Sequence, residues 1–263
     1  MTITPACSST TMGRVALANL SPRPSESDVV RAMSLTEDLV ALCHRVIPRP
    51  EPNPNRVRFT DGDFDRAAAE VLAALGVDPI WVFAYGSLIW KPAASPVEQR
   101  RSCALGWHRS FCLDMHEWRG TPEHPGLMMA LRRGGTCTGI AQRLQGVDRH
   151  SEMVALLRRE IGGPVGFGSL RLINLHSEEG PLRALCFYAD PDEVADRPEL
   201  PLKEVAWILA SACGHAGSCA EYLFQTVSAL MAKEIHDPQL WRLQELVADE
   251  IRRRYFGRRT EIE

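Results

Sequence analysis

Apolar positions follow two patterns along this chain. Between about residues 80 and 189 they form short runs separated by glycine and charge, and elsewhere they recur at three- and four-residue intervals. The first pattern predicts strands and the second helices. The run Ile80-Trp81-Val82-Phe83-Ala84 is unbroken, β-branched and aromatic. It is too short for a helix and predicts a strand buried on both faces. It ends in Tyr85-Gly86-Ser87, where glycine permits a sharp turn and a close approach of ligand to backbone. Successive N–H groups in such a turn can face one concavity and hold an anion. An ordinary strand followed by an ordinary turn carries the same pattern.

Residues 104–115 alternate loosely and predict a second strand, broken by Arg119-Gly120-Thr121-Pro122. Apolar runs at 126–131 and 137–144 flank Arg132-Arg133-Gly134-Gly135 and predict a hairpin. A further hairpin pairs 170–175 with 184–189. Helices surround these strands. Ser34-Leu35-Thr36-Glu37 reads as a capping box for a helix over 35–46. Pro48, Pro50, Pro52 and Pro54 then impose an extended linker. A helix over 63–75 stops at Gly76. Asp148 or Ser151 starts one that runs through Ile161, where Gly162-Gly163-Pro164 ends it. After a polar loop at 191–201 come helices over 204–213, from Ser218 to about 235, and from Asp237-Pro238 to about 255. Strands in the middle, joined by hairpins, with helices at the ends predict an α+β fold with a largely antiparallel sheet.

Composition narrows this picture. The 263 residues are 45% hydrophobic, enough for one sizeable core plus an arm. The net charge of −3 is well mixed, so no basic face for nucleic acid is expected. No run is long and apolar enough to cross a membrane, and the N-terminus has no h-region, so neither membrane nor secretion is expected. The eight cysteines form no CxxC and sit mostly in apolar segments, which predicts reduced thiols in a cytoplasmic protein. The expected organisation is a loose arm at 1–33, a helical extension with its linker at 34–79, a main domain at 80–256 and a charged tail at 257–263.

Nucleotide-binding glycine loops, HExxH and the GxSxG elbow are all absent from the sequence. His108, Cys112 and His116 lie four apart and on a regular strand would share a face. A metal site there lacks a fourth ligand in view, so the expectation is a half-buried strand face and no metal. Glu160 stands out. It follows Met153, Leu156 and Leu157 by seven, four and three residues, on the apolar stripe of its helix, whereas Arg158 and Arg159 are expected to point elsewhere. A carboxyl placed there is desolvated, which raises its pKa and suits it to carry a proton near neutral pH. A buried carboxylate paired to a local arginine would look the same.

Five segments together carry a resemblance. FAYGSLIWKP, GWHRSFC, RGTPEHPGL and the RRE at a helix end, joined by AEYLFQTV, occur here in the order typical of the ChaC-type γ-glutamylcyclotransferases. The resemblance covers roughly 81–247. It implies a barrel-like, mostly antiparallel sheet flanked by helices, and an enzyme that cleaves glutathione to 5-oxoproline and cysteinylglycine without a cofactor. It implies that Val82, Phe83, Ala84, Tyr85, Gly86 and Ser87 hold the γ-glutamyl group and that Glu160 is the general acid and base. Three positions depart from the family pattern. Ala84 replaces a glycine, Lys91 replaces an asparagine, and the segment after Glu160 has Phe167 where a tyrosine is usual. The last bears on substrate preference. Cyclisation of other γ-glutamyl compounds, or ligand binding without catalysis, are the competing readings.

Overall fold

The four residues of β1 (Trp81–Ala84) are buried at every position, as the unbroken apolar run requires. The computed structural model describes residues 32–51, 57–161, 163, 168–189 and 199–257. The arm at 1–31, the prolines at 52 and 54, most of the segment after Glu160, the loop at 190–198 and the tail from 258 lie outside the described residues.

The strands β1, β2 (Glu98–Met115), β3 (Gly126–Arg143), β4 (Leu170–Ser177) and β5 (Gly180–Phe187) close a barrel in the order β1-β3-β2-β4-β5. Every neighbouring pair is antiparallel except β1 with β5, which meet in parallel at Val82 and Leu185. Two further strands of two residues each, β6 (Cys213–Gly214) and β7 (Gly217–Ser218), pair outside the barrel. The fold is α+β with a mostly antiparallel barrel. Phe83, Leu131, Leu175 and Leu185 of the strands are buried in one hydrophobic core with Met153, Leu156 and Leu157 of a helix outside the sheet.

The predicted hairpin at 132–135 does not form. β3 runs unbroken for 18 residues alongside β2, which itself begins six residues before its expected start. Gly134 and Gly135 do adopt positive φ, 104° and 68°, but they oppose the single residue Gly106, φ 77°. Two residues facing one make a β-bulge, which bends the long ribbon without reversing it. A second bulge falls at Cys112, between the pairs Phe111–Met129 and Leu113–Met128.

Among the described residues, seven helices accompany the barrel. These are α1 (Glu37–Leu42), α2 (Asp61–Leu75), α3 (Ser87–Trp90), α4 (Arg149–Glu160), α5 (Leu202–Ser211), α6 (Cys219–Ala232) and α7 (Pro238–Phe256). α1 is shorter than expected and is capped by Thr36, which accepts from Leu39 N, rather than by Ser34. Leu35 precedes the helix, fully buried, with its N–H bonded to Gln244 of α7. α2 starts at a capping box of Thr60 and Asp63 and packs on α4. Asp148, Ser218 and Asp237 cap α4, α6 and α7 as the sequence predicts. The sequence pair Ser218 and Glu221 has the spacing of a capping box, but the Glu221 carboxylate takes a bond from Arg119.

Candidate active site

β1 ends inside the core, and the chain turns at Tyr85-Gly86-Ser87 into the single turn of α3. Gly86 is needed for space. Its φ of −139° is ordinary, but a Cβ there would lie 2.9 Å from both Met129 Cε and the Tyr222 hydroxyl. The turn is braced on all sides. The Tyr85 hydroxyl donates to Phe187 O at 2.7 Å, and Tyr85 O accepts from Arg109 Nε at 2.7 Å. Arg109 is buried and also donates to Thr138 O and, at 2.8 Å, to Asp237, the cap of α7. α3 is tied down by Gln142, which donates to Leu88 O, and by Trp90, whose ring N–H reaches Thr226 of α6. A desolvated arginine with several acceptors stays charged and fixes the elements that supply them. The rigid barrel thus holds the backbone of this turn in place.

Glu160 is the last residue of α4, the helix whose Met153, Leu156 and Leu157 enter the core. Its side chain is only 19% exposed. Burial pushes the Glu160 carboxyl above the ordinary glutamate range, and the neighbouring Arg159 offsets part of that rise. The expectation that both flanking arginines point elsewhere holds for Arg158, which reaches Asp61 and covers the Phe64 ring. It fails for Arg159. Its Nε lies 3.2 Å from Glu160 Oε1, and its Nη2 donates to Ser87 Oγ at 3.5 Å. At the last residues of a helix a long side chain can fold back over its neighbour, which positional arithmetic along a regular helix does not anticipate.

Tyr222 of α6 completes the group. Its hydroxyl sits against Gly86, its ring lies under Arg119 at 5.5 Å, and burial drives its phenol up to about 12. The charge of Glu160 raises it further, while hydrogen bonding from Ser87 works in the other direction. Burial also raises the Tyr85 phenol, with smaller contributions from Cys186, Tyr222 and Glu160. Both phenols are therefore neutral donors at physiological pH. A partly desolvated carboxyl, two neutral phenols, a serine hydroxyl and a guanidinium thus gather around one tight turn. Such a group can hold a polar, anionic small molecule and move protons within it.

Of the sequence-predicted site residues, Tyr85, Gly86, Ser87 and Glu160 come together here. Val82, Phe83 and Ala84 lie within β1, paired to Gln142, Ala141 and Ile140 of β3, with their side chains in the core. Arg109, Arg159 and Tyr222 were not singled out as functional from the sequence. The only trace of them there is their place within GWHRSFC, RRE and AEYLFQTV. The His108, Cys112 and His116 set is not assembled. The bulge at Cys112 breaks the alternation of β2, and His116 lies beyond the strand end. His108 engages Gly134 O and Glu199. Among the described residues no group of three or more His, Cys, Asp or Glu is placed to hold a metal ion. No described helix is long and apolar enough to cross a membrane.

Comparison with known proteins gives concordant matches. The family model for ChaC-like protein matches residues 80–250. A glutathione-specific γ-glutamylcyclotransferase of Escherichia coli (strain K12) is 33% identical over 181 residues, which is 67% of this chain and 78% of that protein. γ-Glutamylcyclotransferase 2-1 of Arabidopsis thaliana is 31% identical over 186 residues, 66% of this chain and 82% of that protein. A crystal structure of a glutathione-specific γ-glutamylcyclotransferase from yeast superimposes with a TM-score of 0.59 at 22% identity, over 66% of this chain and 97% of that one, and shares the fold.

Proposed function

The chain belongs to the ChaC-like protein family, and on that premise we propose that it is a γ-glutamylcyclotransferase that cleaves glutathione to 5-oxoproline and cysteinylglycine. The observation that carries this reading is the desolvated carboxyl of Glu160 joined through Arg159 to the Gly86–Ser87 turn. Relatives named as glutathione-specific supply the substrate.

The reaction asks for little beyond placement. The α-amine of the γ-glutamyl group attacks its own γ-carbonyl, a five-membered lactam closes, and the γ-amide C–N bond breaks. Holding amine and carbonyl in contact can supply roughly 7–11 kcal/mol of the barrier. The tight turn and the braced Tyr85 backbone are suited to that, because their hydrogen bonds hold the turn in place before substrate enters. In this mechanism Glu160 accepts the proton that the amine loses on attack and returns it to the departing nitrogen of cysteinylglycine. A carboxyl raised above its usual range does both near neutral pH. The oxygen that gains charge at the γ-carbon is met by neutral phenol and backbone donors, which need no reorganisation.

The substrate is a small molecule, and the mechanism uses no metal and no organic cofactor. The cytoplasm fits the cysteines, because all seven in the described residues are free and six of them are buried. The test is incubation of the purified protein with glutathione and detection of both products by mass spectrometry. Stoichiometric 5-oxoproline and cysteinylglycine are expected. Folded protein that leaves glutathione intact would overturn the proposal.

A further inference from the structure

Arg159 has donors to spare. A guanidinium carries five N–H groups in a planar fork. Nε faces Glu160 and Nη2 faces Ser87, but Nη1 is buried and has no hydrogen-bond partner. The Arg159 side chain is itself only 21% exposed. Buried polar groups are nearly always paired in native proteins, so an orphaned donor on a guanidinium that already touches two site residues points to a missing acceptor. The other arginines around the turn are committed. Arg109 serves Tyr85 O, Thr138 O and Asp237, and Arg119 serves Ser218 O and Glu221. Arg158 leaves the site for Asp61.

The acceptor can be named by chemistry. A γ-glutamyl group bears its α-amine and α-carboxylate on the same carbon. If the amine faces Glu160, the carboxylate falls on whatever adjoins Glu160, and that is Arg159. We propose that Arg159 binds the α-carboxylate of the γ-glutamyl group through its buried Nη1 edge. This rests on the γ-glutamylcyclotransferase reading and adds the residue that selects the anionic end of the substrate. The same contact orients the reaction. With the carboxylate pinned to Arg159, the amine is left on the Glu160 side, and the γ-carbonyl reaches it by folding back towards the turn. Glu160 then handles the proton, and Arg159 supplies the charge that tells a γ-glutamyl amide from an amide without the carboxylate.

A ligand pair isolates this contact. 5-Oxoproline carries the carboxylate, and 2-pyrrolidinone is the same ring without it. Binding of each is measured by calorimetry on the full chain, for wild type, Arg159→Met and Arg159→Lys. A charge-assisted contact predicts that wild type prefers 5-oxoproline by about tenfold or more, that Arg159→Met holds the two within about twofold, and that Arg159→Lys keeps part of the preference. The KM for glutathione should rise about tenfold or more in Arg159→Met, with a smaller change in kcat. A merely structural arginine would weaken both rings equally. Wild-type indifference to the carboxylate, or a preference that survives in folded Arg159→Met, would overturn the assignment. If Arg159→Met does not fold, Arg159→Lys decides it, since undiminished preference with the fork removed also counts against it. Failure of wild type to cleave glutathione would instead remove the activity on which the proposal rests, and the ring comparison is read without turnover.

Discussion

Replacing Glu160 by glutamine tests the chemistry most directly. The two side chains have the same shape, so no cavity opens beside Met153 and Leu157, and the amide oxygen can still accept from Arg159 Nε. What is lost is the ability to take and return a proton. General acid–base catalysis by a placed side chain is worth about 10²–10⁴ in rate, or about 3–5 kcal/mol at roughly 1.4 kcal/mol per decade. Glu160 is proposed to serve both transfers, so kcat should fall to the far end of that range. Stability should move the other way. Burial raises the folded-state pKa of Glu160 above its unfolded value. Its contribution to folding is therefore fully present below the ordinary glutamate range and is lost as pH rises through the folded pKa. At pH 8 the wild-type carboxylate is desolvated at a cost that glutamine avoids, so the melting temperature of Glu160→Gln should match or exceed wild type there. The assay is initial-rate formation of 5-oxoproline beside thermal unfolding at pH 5 and pH 8. Turnover within about threefold of wild type in a fully folded variant would refute the role of Glu160, since it leaves no room for a general acid–base term.

The same shift predicts a pH profile: the acid limb of kcat/KM should lie above the usual glutamate range and vanish in Glu160→Gln, and a limb at an ordinary carboxylate value would contradict the burial argument. Tyr222→Phe removes the hydroxyl that abuts Gly86 and should cost about tenfold to a hundredfold in kcat/KM, matching the ~1–3 kcal/mol of one buried polar contact. Loss of activity matched by a comparable fall in melting temperature would make Tyr222 a packing residue only. Glutathione should exceed γ-glutamylcysteine and γ-glutamylalanine in kcat/KM, and a tenfold preference for γ-glutamylalanine would move the substrate from glutathione to γ-glutamyl compounds in general.

Local pattern carried much of this protein. A five-residue apolar run with no helical period can only be a buried strand, and β1 is one. Asp148, Ser218 and Asp237 cap helices because short polar side chains satisfy N–H groups within three residues, which is information contained in the neighbouring sequence. The position of Glu160 after Met153, Leu156 and Leu157 was likewise enough to place a carboxyl towards the core.

What involves distant residues was not legible in the same way. Gly134 and Gly135 have the composition of a turn, and whether they reverse the chain or bulge it depends on the strand opposite, where Gly106 absorbs the mismatch. Thr36 displaces Ser34 as the cap of α1 because Leu35 is drawn into the core and its N–H is taken by Gln244, more than two hundred residues away. Arg159 folds back because Glu160 and Ser87 offer it acceptors at the end of α4. Tyr222 reaches the turn because α6 packs against α3. Local pattern was enough for the strand at β1, the carboxyl of Glu160 on a core-facing helix stripe and the tight turn at Gly86, but not for the extent of β2 and β3. What surrounds Glu160 needed the closed barrel: Arg159 meets Ser87 across 72 residues and the Tyr222 hydroxyl of α6 reaches Gly86, and no local pattern records that closure.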